Sequence, residues 1–118
     1  MPDWRVETYV DDAGRSPVET FLSRLPTDDR ARIIRTVEML QDFGLQLSLP
    51  YVKHLENKLW ELRVLAGRKA YRVIYFAWTG QRFILLHAFL KKTAKTPRQE
   101  LAIAEARLAD FLSREGKP

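Results

Sequence analysis

The 118-residue chain contains no cysteine, five glycines and six prolines. Without cysteine it forms no disulfide, no thiolate zinc site and no cysteine nucleophile. It also lacks the G-x-G-x-x-G and P-loop patterns that bind nucleotide phosphates, and its two histidines, His54 and His87, do not have metal-ligand spacing. The sequence therefore predicts a protein with no cofactor and no metal centre.

Long apolar runs are missing as well. The N-terminal residues MPDWRVETYV are mixed and polar, unlike a secretory signal, and no stretch approaches the length that spans a bilayer. A chain of this length that is 46% hydrophobic and 30% charged suits one globular domain with its own core. We expect a single domain over residues 1–118 and a cytoplasmic location.

The net charge of +5 is concentrated in the middle of the chain. Residues 1–52 carry a net charge of −3, residues 53–95 carry +8, and residues 96–118 are balanced. A basic excess within one block favours the binding of a polyanion such as nucleic acid. A solvated face rich in lysine and arginine would have the same composition, so charge alone leaves both interpretations open.

Periodicity and turn signals predict the element order β-α-α-β-β-β-α. The predicted strands are Trp4–Val10, Lys58–Leu65, Ala70–Trp78 and Arg82–Leu90. Predicted helices run from Ser16-Pro17 to about Leu25 and from Thr27 to near Gly44, and a third begins at Thr96-Pro97. Residues 45–57 have no regular pattern.

Short turns join the last three predicted strands, which indicates an antiparallel sheet. The expected fold is therefore α+β: a small antiparallel sheet with an N-terminal helical hairpin and a C-terminal helix. Arg82–Leu90 is almost wholly apolar, as expected for a strand buried on both faces. Ser16 and Thr96 each precede a proline and a Glu or Gln three residues on, which predicts a capping box at both helix starts.

Three charged residues on neighbouring strands are candidates for chemistry. Glu61 and Arg63 are two residues apart and so project from one face of their strand. Arg72 lies inside the apolar stretch YRVIYFAW, where a guanidinium is costly unless it is exposed or paired. Binding of phosphate by the two arginines explains this placement, and so does a structural ion pair with Glu61.

A lysine cluster lies between the last strand and the last helix. Lys91, Lys92 and Lys95 come just before a helix N-terminus, whose N–H groups and partial positive charge also favour anions. The alternative is an ordinary polar loop.

Histidine and tyrosine supply the remaining candidates. His54 lies in a polar context and could act as a general acid or base, whereas His87 lies in FILLHAFL and is expected to be a hydrogen-bonded core residue. Tyr51 could stack on an unpaired base. Tyr71 and Tyr75 share a strand face with Val73 and are expected in the core.

These motifs together resemble the phage-derived HigB-like branch of the RelE/ParE toxin superfamily. The resemblance rests on residues 59–63 (LWELR), 71–75 (YRVIY) and 86–97 (LHAFLKKTAKTP), followed by an alanine-rich helix. It extends from about Trp4 to the last helix.

The resemblance implies a toxin of a type II toxin–antitoxin system that cleaves messenger RNA on the ribosome, without a metal, by attack of an RNA 2′-OH on the adjacent phosphate. It also implies a helix-turn-helix antitoxin that binds the toxin in a hetero-oligomer. In this scheme Arg63 and Arg72 hold the phosphate, Lys91 or Lys92 adds charge or protons, and His54 or Lys53 assists. Further basic residues expected to contact RNA are Lys53, Lys58, Arg68, Lys69 and Lys95.

One departure and two alternatives accompany this interpretation. Some RelE-type toxins use a C-terminal tyrosine, and this chain has no tyrosine after Tyr75, so that role is absent or filled by another residue. The alternatives are a ParE-like toxin that inhibits gyrase without cutting RNA, and a non-catalytic nucleic-acid-binding module.

Overall fold

The computed structural model describes residues 4–116. Its helices are α1 (Pro17–Ser23), α2 (Thr27–Phe43) and α3 (Arg98–Glu115), and its strands are β1 (Arg5–Thr8), β2 (Val52–His54), β3 (Trp60–Ala66), β4 (Lys69–Trp78) and β5 (Arg82–Leu90). The predicted α+β class is confirmed. The element order differs from the prediction by one additional strand, β2, which lies within the segment 45–57 where no regular pattern was found. β2 has only three residues, which are too few for an alternating pattern to be recognised.

The five strands form one mixed sheet in the order β1-β5-β4-β3-β2. Strands β2 to β5 pair antiparallel, whereas β1 lies parallel to β5. The prediction of a wholly antiparallel sheet is therefore wrong at this edge. Strand direction is set locally only where a tight turn joins neighbours, and β1 is separated from β5 by two α-helices, a short 3₁₀ helix (Gly44–Gln46) and three strands.

Helices cover both faces of the sheet. One face buries Val73 and Phe83 under α1 and α2, which contribute Val18, Ile33 and Leu40. The other face buries Phe76 and Ile84 under α3, which contributes Leu101, Ala104 and Leu108. The expected burial of Arg82–Leu90 on both faces is confirmed. Within residues 4–116, no helix combines the length and apolarity needed to cross a bilayer.

The two predicted helix caps have different outcomes. Ser16 Oγ accepts a hydrogen bond from the Glu19 amide at 3.3 Å, and Pro17 opens α1, so this cap is confirmed. No side chain caps α3, so the predicted capping box at Thr96 is wrong. The Thr96 hydroxyl instead donates to the Glu61 carboxylate, because a bond to a charged acceptor is stronger than one to a backbone amide.

The edge of the sheet near β2 is only partly covered. β2 pairs with β3 at Trp60, Glu61 and Leu62, and one further bond joins the Arg63 amide to the Tyr51 carbonyl at 2.7 Å. Beyond Arg63, the edge of β3 faces α2 and solvent instead of another strand. This uncovered edge, together with the loop before α3, positions the candidate site.

Candidate functional site

A buried carboxylate lies at the centre of the predicted site residues. Glu61 on β3 is 1% exposed. Its Oε1 atom accepts a hydrogen bond from Arg63 Nε at 3.2 Å and forms an ion pair with Arg72 Nε at 2.8 Å, and its Oε2 atom accepts a hydrogen bond from the Thr96 hydroxyl. We call Glu61, Arg63, Arg72 and Thr96 the Glu61 cluster.

The sequence places these groups together through strand register. Arg63 and Arg72 are directly opposite each other on β3 and β4, so their side chains share one face. A buried carboxylate is costly unless it is paired and its oxygens accept hydrogen bonds. In the Glu61 cluster two strands and the loop before α3 each supply a donor, so the carboxylate links three segments of the chain.

Arg72 and Arg63 differ in how much of the guanidinium group remains accessible to a ligand. Arg72 is 8% exposed, and its Nη1 atom donates to the Tyr71 carbonyl at 3.3 Å. Burial lowers the pKa of Arg72, while Glu61 raises it and Arg63 lowers it; the guanidinium nevertheless stays charged at any relevant pH. The structural ion pair that the sequence left open is therefore present, and it involves both arginines.

Arg63 carries the positive charge that Glu61 does not neutralise. One carboxylate faces two guanidinium groups, which leaves one surplus positive charge in the cluster. The Arg63 side chain is 29% exposed, and within residues 4–116 its only hydrogen bond uses Nε. Its Nη nitrogens thus remain free to donate. Arg63 also borders two cavities, one on each side.

The first cavity, which we call the arginine cleft, opens along the uncovered edge of β3 against α2. Its volume is about 420 Å³. The residues that line it are Arg32, Arg35, Thr36, Met39, Pro50, Tyr51, Arg63, Val64, Leu65 and Arg72. Among residues 4–116, four arginines and no carboxylate line this cavity, so it is suited to an anion.

The second cavity, which we call the loop cleft, lies between β2 and the start of α3 and has a volume of about 370 Å³. The residues that line it are Lys53, His54, Leu55, Glu56, Arg63, Ala94, Lys95, Thr96, Arg98 and Leu101. In the part of the chain that the structure describes, Glu56 is the one carboxylate lining this cleft, and it pairs with Arg98 at 2.8 Å. The remaining basic groups give this cleft a positive excess.

His54 lines the loop cleft, and its ring contacts Trp60 and the Asn57 carbonyl. His54 is opposite Trp60 across β2 and β3, and their ring centroids are 4.8 Å apart. The Nε2 atom lies 2.8 Å from the Asn57 carbonyl oxygen. Because a carbonyl only accepts, Nε2 carries the proton, and Nδ1 is the nitrogen of a neutral His54 that could accept one.

Lys91 and Lys92, the first two lysines after β5, line neither cleft. The Lys91 amide donates to the Ala70 carbonyl at 2.7 Å, which continues the β4–β5 pairing by one residue. By alternation Lys91 lies on the same face as Arg72, while Lys92 is exposed beyond the sheet. The structure therefore does not bring this lysine pair into contact with Arg63.

Three further predicted RNA contacts are also distant from the clefts. Lys58 and Arg68 are exposed, in the loop before β3 and in the turn after it. Lys69 pairs with Asp29 of α2 at 3.4 Å, on the face of the sheet opposite Glu61. Of the ten predicted site residues, the clefts thus gather Lys53, His54, Arg63, Arg72 and Lys95.

The predictions for His87, Tyr71 and Tyr75 are confirmed. His87 is largely buried, and its Nε2 atom lies 2.7 Å from Glu100 Oε1. Tyr71 and Tyr75 belong to the core beneath α1 and α2. Burial, reinforced by the hydrogen bond to Asp29, raises the pKa of Tyr71 to about 12. Within residues 4–116, no group of three or more His, Asp or Glu side chains is arranged to hold a metal ion.

Sequence reasoning missed Arg32, Arg35, Thr96 and Arg98. Arg32 and Arg35 lie in residues 1–52, whose net charge is negative, so the net charge of that segment did not indicate a basic site. Their i, i+3 spacing on α2, which places both on one side of the helix, was the available signal. Thr96 was assigned to a helix cap, and nothing in its sequence neighbours indicates a partner 35 residues away.

Residues 20–109 match the family model of the phage-derived Gp49-like proteins (DUF891). The chain belongs to this family. The matched region of this Gp49-like protein runs from α1 to α3 and includes the Glu61 cluster and the lining of both clefts. A comparison with curated protein sequences found no match. Membership of the Gp49-like family is consistent with a toxin of a toxin–antitoxin system.

Proposed function

We propose that this Gp49-like protein is a type II toxin of the HigB-like branch and that it cleaves messenger RNA on the ribosome. The observation that carries the proposal is the position of Arg63, whose Nε is held by a buried carboxylate and whose partly exposed side chain lines two basic clefts. A guanidinium fixed in this way is preorganised to bind a phosphate without a further loss of side-chain freedom.

The proposed reaction is an internal transfer within the RNA backbone. The 2′-oxygen forms a bond to the adjacent phosphorus as the bond from phosphorus to the 5′-oxygen breaks. The products are a 2′,3′-cyclic phosphate and a 5′-hydroxyl, and the proton lost by the 2′-OH is balanced by one gained at the leaving oxygen. Negative charge grows on the phosphate oxygens in the transition state, where fixed positive groups have their largest effect.

In this mechanism the residues divide into charge and proton donors. Arg63 binds the phosphate oxygens, and Arg72 keeps the surplus charge beside them through their shared carboxylate. Lys53, Lys95 and His54 border the loop cleft, and one of them moves the protons. Lys91, on the face shared with Arg72, adds positive charge at longer range.

The proposed partner is a helix-turn-helix antitoxin, encoded by the neighbouring gene, in a cytoplasmic complex with the toxin. An acidic segment of that antitoxin would compete with RNA for the clefts because both ligands are anionic. The expected complex is a hetero-oligomer in which Arg63 is covered.

Brief induction of the gene without its antitoxin, followed by mapping of RNA 5′ ends, tests the proposal. We expect growth arrest and new 5′-hydroxyl ends at defined positions within translated messages. The variants Arg63→Ala and Arg72→Ala, compared at equal protein level, should lose these ends. DNA damage with intact RNA would instead support a ParE-like gyrase inhibitor, and harmless expression would support a non-catalytic nucleic-acid-binding module.

A further inference from the structure

We infer that the arginine cleft is a second RNA subsite, which binds a phosphate next to the cleaved one on Arg32 and Arg35 and stacks an unpaired base on Tyr51. The inference rests on the proposed function, because Arg63 is the residue that both clefts share. A single RNA strand that passes Arg63 would have one flanking nucleotide in each cleft.

Arg32 and Arg35 have the exposure and freedom that phosphate binding requires. Both side chains are exposed on α2, and their i, i+3 spacing puts their Cβ atoms about 5–6 Å apart. Neither forms an ion pair within 4.0 Å among residues 4–116. Asp28 and Asp29 border a neighbouring cavity together with both arginines, and Asp29 attracts Arg32 at longer range. The direct contacts of Asp29 are nevertheless with Tyr71 at 2.6 Å and Lys69 at 3.4 Å.

Tyr51 is fixed next to the catalytic arginine yet remains open to solvent. Its carbonyl accepts the Arg63 amide at 2.7 Å, and its own amide donates to the Ser48 carbonyl at 2.9 Å. It is therefore directly opposite Arg63, and opposite residues of antiparallel strands share a face. The residue is 41% exposed, so its ring is accessible to a ligand.

The lining of the cleft fits a nucleotide better than an acidic peptide. Met39, Val64 and Leu65 supply apolar surface beside the tyrosine ring and the four guanidinium groups. Unpaired bases of RNA stack on aromatic rings and on the planes of arginine side chains. A nucleotide uses both the apolar and the cationic surface, whereas an acidic peptide uses mainly the arginines.

Binding of a uniformly 2′-O-methylated single-stranded RNA, which has no attacking hydroxyl, tests the subsite. Affinity of the full-length protein is measured by fluorescence anisotropy at several salt concentrations. The double variant Arg32→Ala/Arg35→Ala should bind more weakly and lower the slope of log K against log salt by roughly 0.7 for each lost phosphate contact. The matched control Arg15→Ala/Arg24→Ala removes two exposed arginines outside both clefts and should keep the slope.

Tyr51→Ala should weaken binding by roughly 5- to 150-fold with an unchanged salt slope, because stacking involves no counterion release. Tyr51→Phe keeps the ring and should bind like the parent. If Tyr51→Ala and the α2 double variant bind RNA like the parent while Arg63→Ala still abolishes cleavage, the subsite is wrong and the proposed function stands. If the parent neither binds nor cleaves RNA, both proposals fail.

An acidic peptide provides the remaining comparison. A polyglutamate peptide should compete with RNA only at high concentration and should not depend on Tyr51. Peptide binding that Tyr51→Ala and the α2 double variant abolish, with RNA binding intact, would overturn the subsite and assign the cleft to a protein partner.

Discussion

Two polar clusters on the face of the sheet that carries α3 look alike at first and differ in their charge balance. In the Glu61 cluster, one carboxylate meets two guanidinium groups. Two strands away, in the row of paired residues that joins Glu61, Ile74 and His87, His87 Nε2 lies 2.7 Å from Glu100 Oε1, and Arg107 Nη1 lies 3.1 Å from His87 Nδ1 and 2.9 Å from the Leu86 carbonyl. We call His87, Glu100 and Arg107 the His87 cluster.

This difference in charge balance distinguishes the proposed binding site from a structural contact. With a neutral His87, the His87 cluster has one positive and one negative charge, and both ring nitrogens are hydrogen-bonded. The Glu61 cluster has one positive charge too many, and the group that carries it is exposed between two cavities. An anionic ligand can neutralise this surplus positive charge and accept hydrogen bonds from the free N–H donors.

The largest effect is expected from Glu61→Ala, which would leave Arg72 buried without a counter-charge. Loss of one partner of a buried pair costs about 3–5 kcal/mol, so the free energy of unfolding should fall by that amount in urea titration. The matched control Glu56→Ala breaks the exposed pair with Arg98 and should change stability by less than about 1 kcal/mol. Equal effects of the two substitutions would contradict the central role of Glu61.

Much of the fold could be predicted from sequence because its signals are local. The turn at residues 66–69, the apolar run of β5 and the Ser16 cap each depend on neighbouring residues, and each is confirmed. The parallel placement of β1 depends on contacts between distant segments. Local sequence patterns therefore do not indicate whether β1 pairs parallel or antiparallel with β5.

The candidate site divides in the same way. Spacing alone placed Glu61 and Arg63 on one face, and polarity alone singled out Arg72. The contributions of Thr96 and of the α2 arginines come from elements that meet Arg63 only in three dimensions. Lys91 and Lys92 were predicted to be site residues because they lie between a strand end and a helix N-terminus, but they line neither cleft.

Thr96→Val should have the next largest effect, because it removes the donor to Glu61 Oε2 and keeps the shape of the side chain. A hydrogen bond to a charged group contributes about 1.5–3 kcal/mol, and the free energy of unfolding should fall within this range. Thr96→Ser retains the hydroxyl and should restore most of the loss. A stable Thr96→Val protein with unchanged hydrogen exchange in residues 93–97 would show that the bond is unimportant.

Arg63→Lys should separate function from stability within the Glu61 cluster. Lysine retains a charge for Glu61, so the free energy of unfolding should change by less than about 1 kcal/mol. It loses the planar donor pair, and RNA cleavage should fall by roughly tenfold or more. Cleavage is followed by primer extension on a translated message, and a variant as active as the parent would make Arg63 a structural residue only.

The smallest effect is expected from His87→Gln, which keeps a donor and an acceptor and should lower the free energy of unfolding by about 1 kcal/mol at pH 7.

The same variant tests how His87 makes the stability of the protein depend on pH. Burial, and to a smaller extent Arg107, lowers the pKa of His87, while Glu100 opposes the shift. The pKa of histidine in the unfolded chain is about 6.5, so below this pH the unfolded chain binds a proton at His87 more readily than the folded protein does. The free energy of unfolding should therefore fall as the pH decreases from 6.5. Urea titrations between pH 7 and pH 5 should show a shallower decline for His87→Gln; parallel curves would mean that His87 binds its proton equally well in the folded and the unfolded protein.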